Sequence, residues 1–218
     1  HFEARRQRQM CIRDSLYIGL NGNSKDLKLP KNNLWIYPDD IDHDTSVSKY
    51  LDNQDSEFPL VYISFPSAKD PSWSSRYPGK STIDVITLLP YESFAKWEGT
   101  SWKKRGDSYD QLKESISKRL LEHLFKQLPH LRGSVDHYEL SSPLTTKNFV
   151  NYEKGELYGL DHTPKRFSQK FLRPKTPIKG LFLTGQDIVS AGVGGALFSG
   201  LITAAAITGI NYMKKIYK

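Results

Sequence analysis

Cysteine is nearly missing from this chain: of 218 residues only Cys11 is one. No intrachain disulfide and no cysteine-ligated metal site can form, which fits a reducing compartment. A concentrated basic patch is missing too. Lys and Arg number 31 against 24 Asp and Glu, and the excess of +7 is spread along the chain. Nucleic-acid binders gather such charge on one face, so no nucleic-acid partner is expected. The acidic run DDIDHD (Asp39 to Asp44) lacks the glycine and the closing glutamate of a calcium loop. It reads as a solvated turn or a helix cap. His123 and His130 have no carboxylate–histidine spacing around them and read as surface or dipole-facing residues, so no metal site is expected.

What is present suits a globular fold: 38% hydrophobic residues and 12% aromatics. The front of the chain is a case apart. Arg5 to Ser15 read RRQRQMCIRDS, the string that a common transposase library-adapter DNA encodes in one frame. His1 to Ser15 is therefore expected to be an adapter-derived scar with no part in the fold, the native sequence beginning near Leu16. Setting aside its four arginines and two acidic residues lowers the net charge from +7 to +5.

From there the chain reads as short strands. LYIGL (16–20), LWIY (34–37), FPLVYISFPS (58–67), STIDVITLLP (81–90) and SVDHYELSSP (134–143) carry the alternation or β-rich composition of strands. The third and fourth are expected to pair, across a long loop punctuated by proline and glycine. The period changes in DSYDQLKESISKRLLEHLFKQLP (107–129), where Leu112, Ile116, Leu120, Leu121, Leu124 and Leu128 recur at helical spacing. Asp107 or Ser108 is the expected cap and Pro129 the stop. Ser141 or Ser142 is expected to open a further short helix.

Two stretches hold candidate chemistry. In NYEKGELYGLDHTPKRF (151–167), Tyr158, Asp161 and His162 gather about Gly159. The residues alone read either as a loop passing close to a flat ligand or as an ordinary glycine turn. In GLFLTGQDIVSAGVGGALFSGLITAAAIT (180–208), Leu181 to Leu183 reads as a strand buried on both faces. Asp187 is expected just past its end, because an unpaired carboxylate is costly to bury. Gly192, Gly194 and Gly195 let backbone approach something flat or anionic. A helix from about Gly195 to Met213, packed on a sheet, would aim its first amides the same way. A dinucleotide cofactor satisfies both features. The competing reading is a noncatalytic, membrane-anchored module with residues 188–210 as a transmembrane span, since that run is uncharged and long enough.

PSAKDPSWSSRYPGKST, YGLDHTPKRF, FLRPKTPIKGLFLTGQD and AGVGGAL closely resemble the C-terminal half of the retinol saturase and carotenoid isomerase group. That group belongs to the phytoene desaturase-like and amine oxidase-like FAD-dependent oxidoreductases. The resemblance covers nearly all of residues 16–210, with TGQD and the glycine-opened helix its most specific part. It implies an α/β architecture, strictly an α+β fragment: a mixed substrate-domain sheet over residues 16–150, then the last strand and helix of a Rossmann-like FAD domain over 151–218. The glycine fingerprint of the Rossmann half is absent from this chain. By position, Gly185 and Asp187 would hold the ribityl-pyrophosphate part of FAD. Gly192, Gly195 and Ala196 would face the flavin's pyrimidine edge, while Gly194 would serve packing. Tyr158 and Gly159 would lie near the flavin face, with His162 a candidate for proton handling. Val61, Ile63 and Phe65 would belong to the domain enclosing a hydrophobic polyene. NAD(P)H as electron donor, a cytoplasmic location and peripheral membrane association complete the expectations.

Overall fold

Alternation of period two organises the first of two compact units in the computed structural model, which describes residues 13–39, 42–156, 158–160 and 162–216. That unit ends at Glu156. Five strands, β1 (Arg13–Asn21), β2 (Leu34–Ile36), β3 (Val61–Ser64), β4 (Lys80–Leu88) and β5 (Val135–Leu140), form one sheet in the order β2-β3-β4-β1-β5. Every neighbouring pair is antiparallel, and the expected β3–β4 pairing is present, with Val61 opposite Thr87 and Ile63 opposite Val85. The strand in FPLVYISFPS is shorter than its apolar run, since Phe58 and Phe65 are buried outside the ladder. The loop before β4 contains one-turn helices at Pro66–Lys69 and Trp73–Arg76. β1 runs back to Arg13, placing Arg13, Asp14 and Ser15 opposite Leu88, Thr87 and Ile86. Three residues expected to take no part in the fold thus hold ladder positions, which need only backbone groups. Cys11 lies outside the described residues.

One face of the sheet carries Leu16, Ile18, Leu20, Val61, Ile63, Ile83, Val85 and Leu140, all buried. Three helices of this unit are longer than one turn: α1 (His43–Asp52), α2 (Asp107–Gln127) and α3 (Pro143–Val150). The buried stripe of α2 is Ile116, Leu120, Leu121 and Leu124, with Leu112 and Leu128 partly buried at its ends, as the helical spacing demands. Its start differs from expectation. Gly106 is the cap residue and makes no side-chain cap bond, and Asp107 is already helical. Asp107 and Asp110 therefore act on the helix's positive end through charge. Asp42 caps α1, its carboxylate accepting the Asp44 N–H at 3.1 Å, so the acidic run does serve as a cap; Asp40 and Ile41 lie outside the described residues. Ser142 caps α3 in a reciprocal box with Thr145 and shares a 2.6 Å hydrogen bond with the Tyr109 hydroxyl.

The two histidines separate. His130 Nε2 lies 3.0 Å from the Leu27 carbonyl. His123 packs its ring 5.8 Å from that of Phe58, and burial is the main cause holding its pKa below 6.5, with Lys126 and Arg119 adding to the effect and Glu57 opposing it. A histidine that folds preferentially neutral binds fewer protons folded than unfolded. Its contribution is present above about pH 6.5 and is lost as pH falls through the depressed folded value. The urea midpoint is expected to fall between pH 7.5 and pH 5.5, with the fall reduced in His123→Gln. Identical slopes for the two proteins would rule out this residue as the source.

The second unit follows different rules. Leu181 to Leu183 is not a buried strand: Phe182 makes a single antiparallel bridge to Lys175, and Leu181 and Leu183 are exposed. A strand is buried on both faces only inside a sheet, and the described residues of this unit supply one bridge. The following helix, α5, spans Gly192–Thr208 rather than starting at Gly195 and reaching Met213, and Gly209 caps it. Among the described residues of its own unit there is no sheet for it to pack on. Its buried residues are Gly195, Ser199 and Thr203, one every fourth position, while Val193 and Leu197 are 78% and 72% exposed. Small and hydroxylated residues form the packed stripe because the 183–185 segment lies directly on it: Thr203 Oγ1 donates to the Leu183 carbonyl at 2.9 Å, and the Gly185 N–H donates to Ser199 Oγ at 2.7 Å.

The span reading fails on the same geometry. Residues 186–188 are a 3-10 turn, and the 17-residue helix is about 26 Å long at 1.5 Å per residue, short of a hydrocarbon core of about 30 Å. Among the described residues no helix is long and apolar enough to cross a membrane.

Candidate functional site

The TGQD turn is fixed from three sides. Beneath it, Ser199 accepts from Gly185 and lies 3.3 Å from Thr184 Oγ1. From its own turn, Gln186 Oε1 accepts the Gly192 N–H at 3.2 Å, tying the turn to the first residue of α5. The third contact comes from α4 (Pro164–Phe167), whose start is capped by Thr163. Arg166 on α4 is 8% exposed, and its Nη2 donates to the carbonyls of Gln186 at 2.9 Å and Asp187 at 2.7 Å. Its Nη1 is buried and has no hydrogen-bond partner among the described residues. A buried guanidinium held on two carbonyls fixes the turn's backbone and leaves the Asp187 side chain to face elsewhere.

That side chain meets the second candidate stretch. Asp187 Oδ1 accepts the Leu160 N–H at 2.9 Å, and Gly159 lies so close that a Cβ added there would stand 2.3 Å from the same oxygen. Gly159 has φ +65°. Tyr158–Gly159 and Asp187, separated by nearly thirty residues, are thus one locus, with the glycine needed both for its backbone angle and for the carboxylate beside it. Asp161 lies outside the described residues. His162 joins from the other end: its Nε2 accepts the Ala191 N–H at 2.6 Å, and its ring meets Phe167 edge-on at 5.8 Å. Accepting at Nε2 leaves the ring proton on Nδ1, which makes Nδ1 a hydrogen-bond donor in this arrangement.

The glycines at the helix start divide. Gly195 points inward, where a Cβ would stand 1.9 Å from the Ser190 carbonyl oxygen. Gly185 and Gly192 stand at positive φ with open space where a side chain would be, and Gly194 is equally open. Ala196 is exposed. The arrangement is a glycine-rich stretch of accessible backbone, interrupted by the Val193 side chain, at the first turn of a 17-residue helix and flanked by one carboxylate. A carboxylate using one oxygen on Leu160 keeps acceptor capacity for hydroxyl groups, and the helix start favours electron-rich ones. Such a donor and acceptor set fits a polyhydroxylated, pyrophosphate-bearing cofactor. Among the described residues there is no group of three or more metal-ligating side chains.

Sequence reasoning missed Arg166, Ser199, Thr203 and Gln186. The Gly195–Ser199–Thr203 spacing of four was a readable signal for a close-packed stripe. Nothing in TPKRF marks the arginine as buried.

No protein-family model matches the chain. Among curated proteins, it is 35% identical over 204 residues to all-trans-retinol 13,14-reductase of Danio rerio, covering 90% of this chain and 33% of that protein. The Homo sapiens protein of that name is 36% identical over 200 residues, with 88% and 33% covered. A second Danio rerio protein, named inactive all-trans-retinol 13,14-reductase, is 29% identical over 202 residues, with 88% and 32% covered. The chain therefore spans about a third of the length of the relatives it matches. Over that third, it is a homologue of the all-trans-retinol 13,14-reductases.

Proposed function

We propose that the chain is the C-terminal third of an FAD-dependent oxidoreductase that reduces a carbon–carbon double bond of a hydrophobic polyene, with all-trans-retinol as the reference substrate and NAD(P)H as the source of electrons. The observation that carries this reading is the Asp187 carboxylate, set against Gly159 beside a helix start in which Gly192, Gly194 and Gly195 carry no side chain. Reduced FAD supplies a hydride to such a bond.

This chain's part is to bind and orient. Asp187 accepts from ribityl hydroxyls while Leu160 holds its other contact. Gly185, Gly192 and Ala196 let the cofactor lie against backbone, Gly195 closes the helix start onto Ser190, and Tyr158 and Gly159 border the flavin face. Arg166 keeps the turn in register. His162, a candidate for proton handling, presents Nδ1–H as a hydrogen-bond donor. To pass on the proton that accompanies saturation it would first have to release the Ala191 N–H and take a proton at Nε2.

The test replaces the matching third of the Danio rerio reductase with this chain. The purified chimera is expected to carry flavin absorbance and to bleach the polyene band of all-trans-retinol. Asp187→Asn keeps an acceptor for Leu160 and removes the charge. FAD affinity should then fall roughly ten- to a hundredfold, the worth of about 1.5–3 kcal/mol for a charged hydrogen bond. The chain alone should bind FAD poorly. A flavin-free chimera, or unchanged affinity in the variant, would overturn the assignment.

A further inference from the structure

The sheet of the first unit has a face turned away from its core. Alternation sends Leu16, Ile18, Ile63 and Val85 inward and their neighbours outward. Read across the strands in register, two of the outward rows are Trp35, Tyr62 and Ile86 on β2, β3 and β4, and Ser64, Asp84, Tyr17 and Glu139 on β3, β4, β1 and β5. Trp35 and Tyr17 are 52% and 53% exposed, and Trp35 meets Tyr62 edge-on at 4.7 Å. Val61, Ile63 and Phe65, expected to belong to the domain that encloses a polyene, pack in the unit's own core.

Asp84 is out of place on such a strip. Among the described residues nothing hydrogen-bonds its carboxyl, and Lys69 is engaged by Ser64 Oγ at 3.0 Å and by Asn33. Burial raises its pKa, with Lys69 opposing. A half-buried acid with no hydrogen-bond partner among the described residues, eased only by the charge of Lys69, costs stability, so the fold retains a group it would be more stable without. A ligand that is an apolar chain ending in one hydroxyl matches what the face offers. The chain would cover the aromatic row, and the O–H would donate to the unpaired carboxyl. With strands about 4.8 Å apart, four of them give a wall roughly 14 Å wide, enough for an extended polyene to lie across.

We propose that this face is the wall on which the polyene alcohol lies, Trp35, Tyr62 and Ile86 under the hydrocarbon and Asp84 accepting from its hydroxyl. The proposal rests on the reading of the chain as part of a retinol-reducing enzyme and adds the substrate's seat and its polar selectivity. A carboxylate at that point favours an alcohol over a carboxylic acid, which would bring two like charges together, and over a hydrocarbon, which leaves the acid unpaired.

The test is tryptophan quenching of the 218-residue chain by all-trans-retinol, by the corresponding acid and by the hydrocarbon of the same skeleton. Retinol is expected to bind about tenfold tighter than either. Asp84→Leu should abolish the preference for the alcohol, and Asp84→Asn the discrimination against the acid. Trp35→Ser should weaken all three ligands. Asp84→Asn should also raise the urea midpoint, because it relieves the buried charge, and that result certifies the fold of the variant. If retinol fails to quench, or if the three ligands bind alike in the parent chain, the proposal is overturned. The chimera's flavin content and turnover are unaffected by that outcome, so the reading of the enzyme and the seat of its substrate fail separately.

Discussion

Gly195→Ala is expected to dislodge the start of α5, while Gly194→Ala, one residue away, should stabilise it. At position 195 an added Cβ would stand 1.9 Å from the Ser190 carbonyl oxygen and 2.7 Å from its carbon. Those are backbone atoms, and no rotamer change can move them. The helix start or the 188–191 segment must shift, and overpacking of this kind costs about 1–3 kcal/mol or more. At Gly194 nothing lies within 4 Å of the added atom. There the substitution only restricts the unfolded chain and improves helix propensity, worth about 0.5–1 kcal/mol in favour of folding. Hydrogen exchange through α5 gives the measurement. Protection of residues 196–203 should drop in Gly195→Ala and rise in Gly194→Ala, and the chimera carrying Gly195→Ala should lose flavin. Equal effects at the two positions would mean that helix propensity, not the contact with Ser190, governs this end.

That contrast also shows what the sequence can and cannot declare. Both glycines sit in the same AGVGGAL string, and composition treats them alike; only the path of Ser190 tells them apart. The sheet was legible because alternation is local: VYIS and STIDVITL write their buried faces residue by residue. The stripe of α2 was legible for the same reason. LFL misled because an apolar triplet reports affinity for a sheet without saying whether one is present, and in this unit Phe182 finds a single bridge. The uncharged run after it misled in the opposite direction, suggesting burial for residues that lie outside. Helix α5 packs through its glycine and hydroxyl positions, since those allow the Leu183 carbonyl and the Gly185 amide to reach Thr203 and Ser199. At the site, Asp187 and the glycine of YGLDH could each be singled out, yet their meeting rests on a fold across nearly thirty residues that spacing does not encode. Arg166 was invisible because burial of a guanidinium depends wholly on carbonyls supplied from elsewhere.

The meeting of Gly159 and Asp187 can be measured as a coupling. Gly159→Ala carries two separable penalties: a left-handed backbone at φ +65°, worth about 1–2 kcal/mol for an L-residue, and a methyl 2.3 Å from Asp187 Oδ1. The second can be relieved only by swinging the carboxylate away, which strips the Leu160 N–H of its acceptor at a further cost of about 1–3 kcal/mol. In the Asp187→Ala background the steric part vanishes, because the oxygen is gone, and the Leu160 amide is already without that acceptor. The glycine substitution should then cost only the backbone part. A double-mutant cycle on the urea stability of the second unit should therefore give a coupling of about 1–3 kcal/mol, the double variant being less damaged than the two single effects combined. Exchange at the Leu160 amide supplies a local check: fast in either single variant and no faster in the double. Additive energies would show that the two residues act independently, and the carboxylate would then owe its position to Arg166 and the TGQD turn alone. A coupled result means that the 158–160 loop aims the carboxylate, so a substitution on either side of the locus should alter cofactor affinity through the same oxygen.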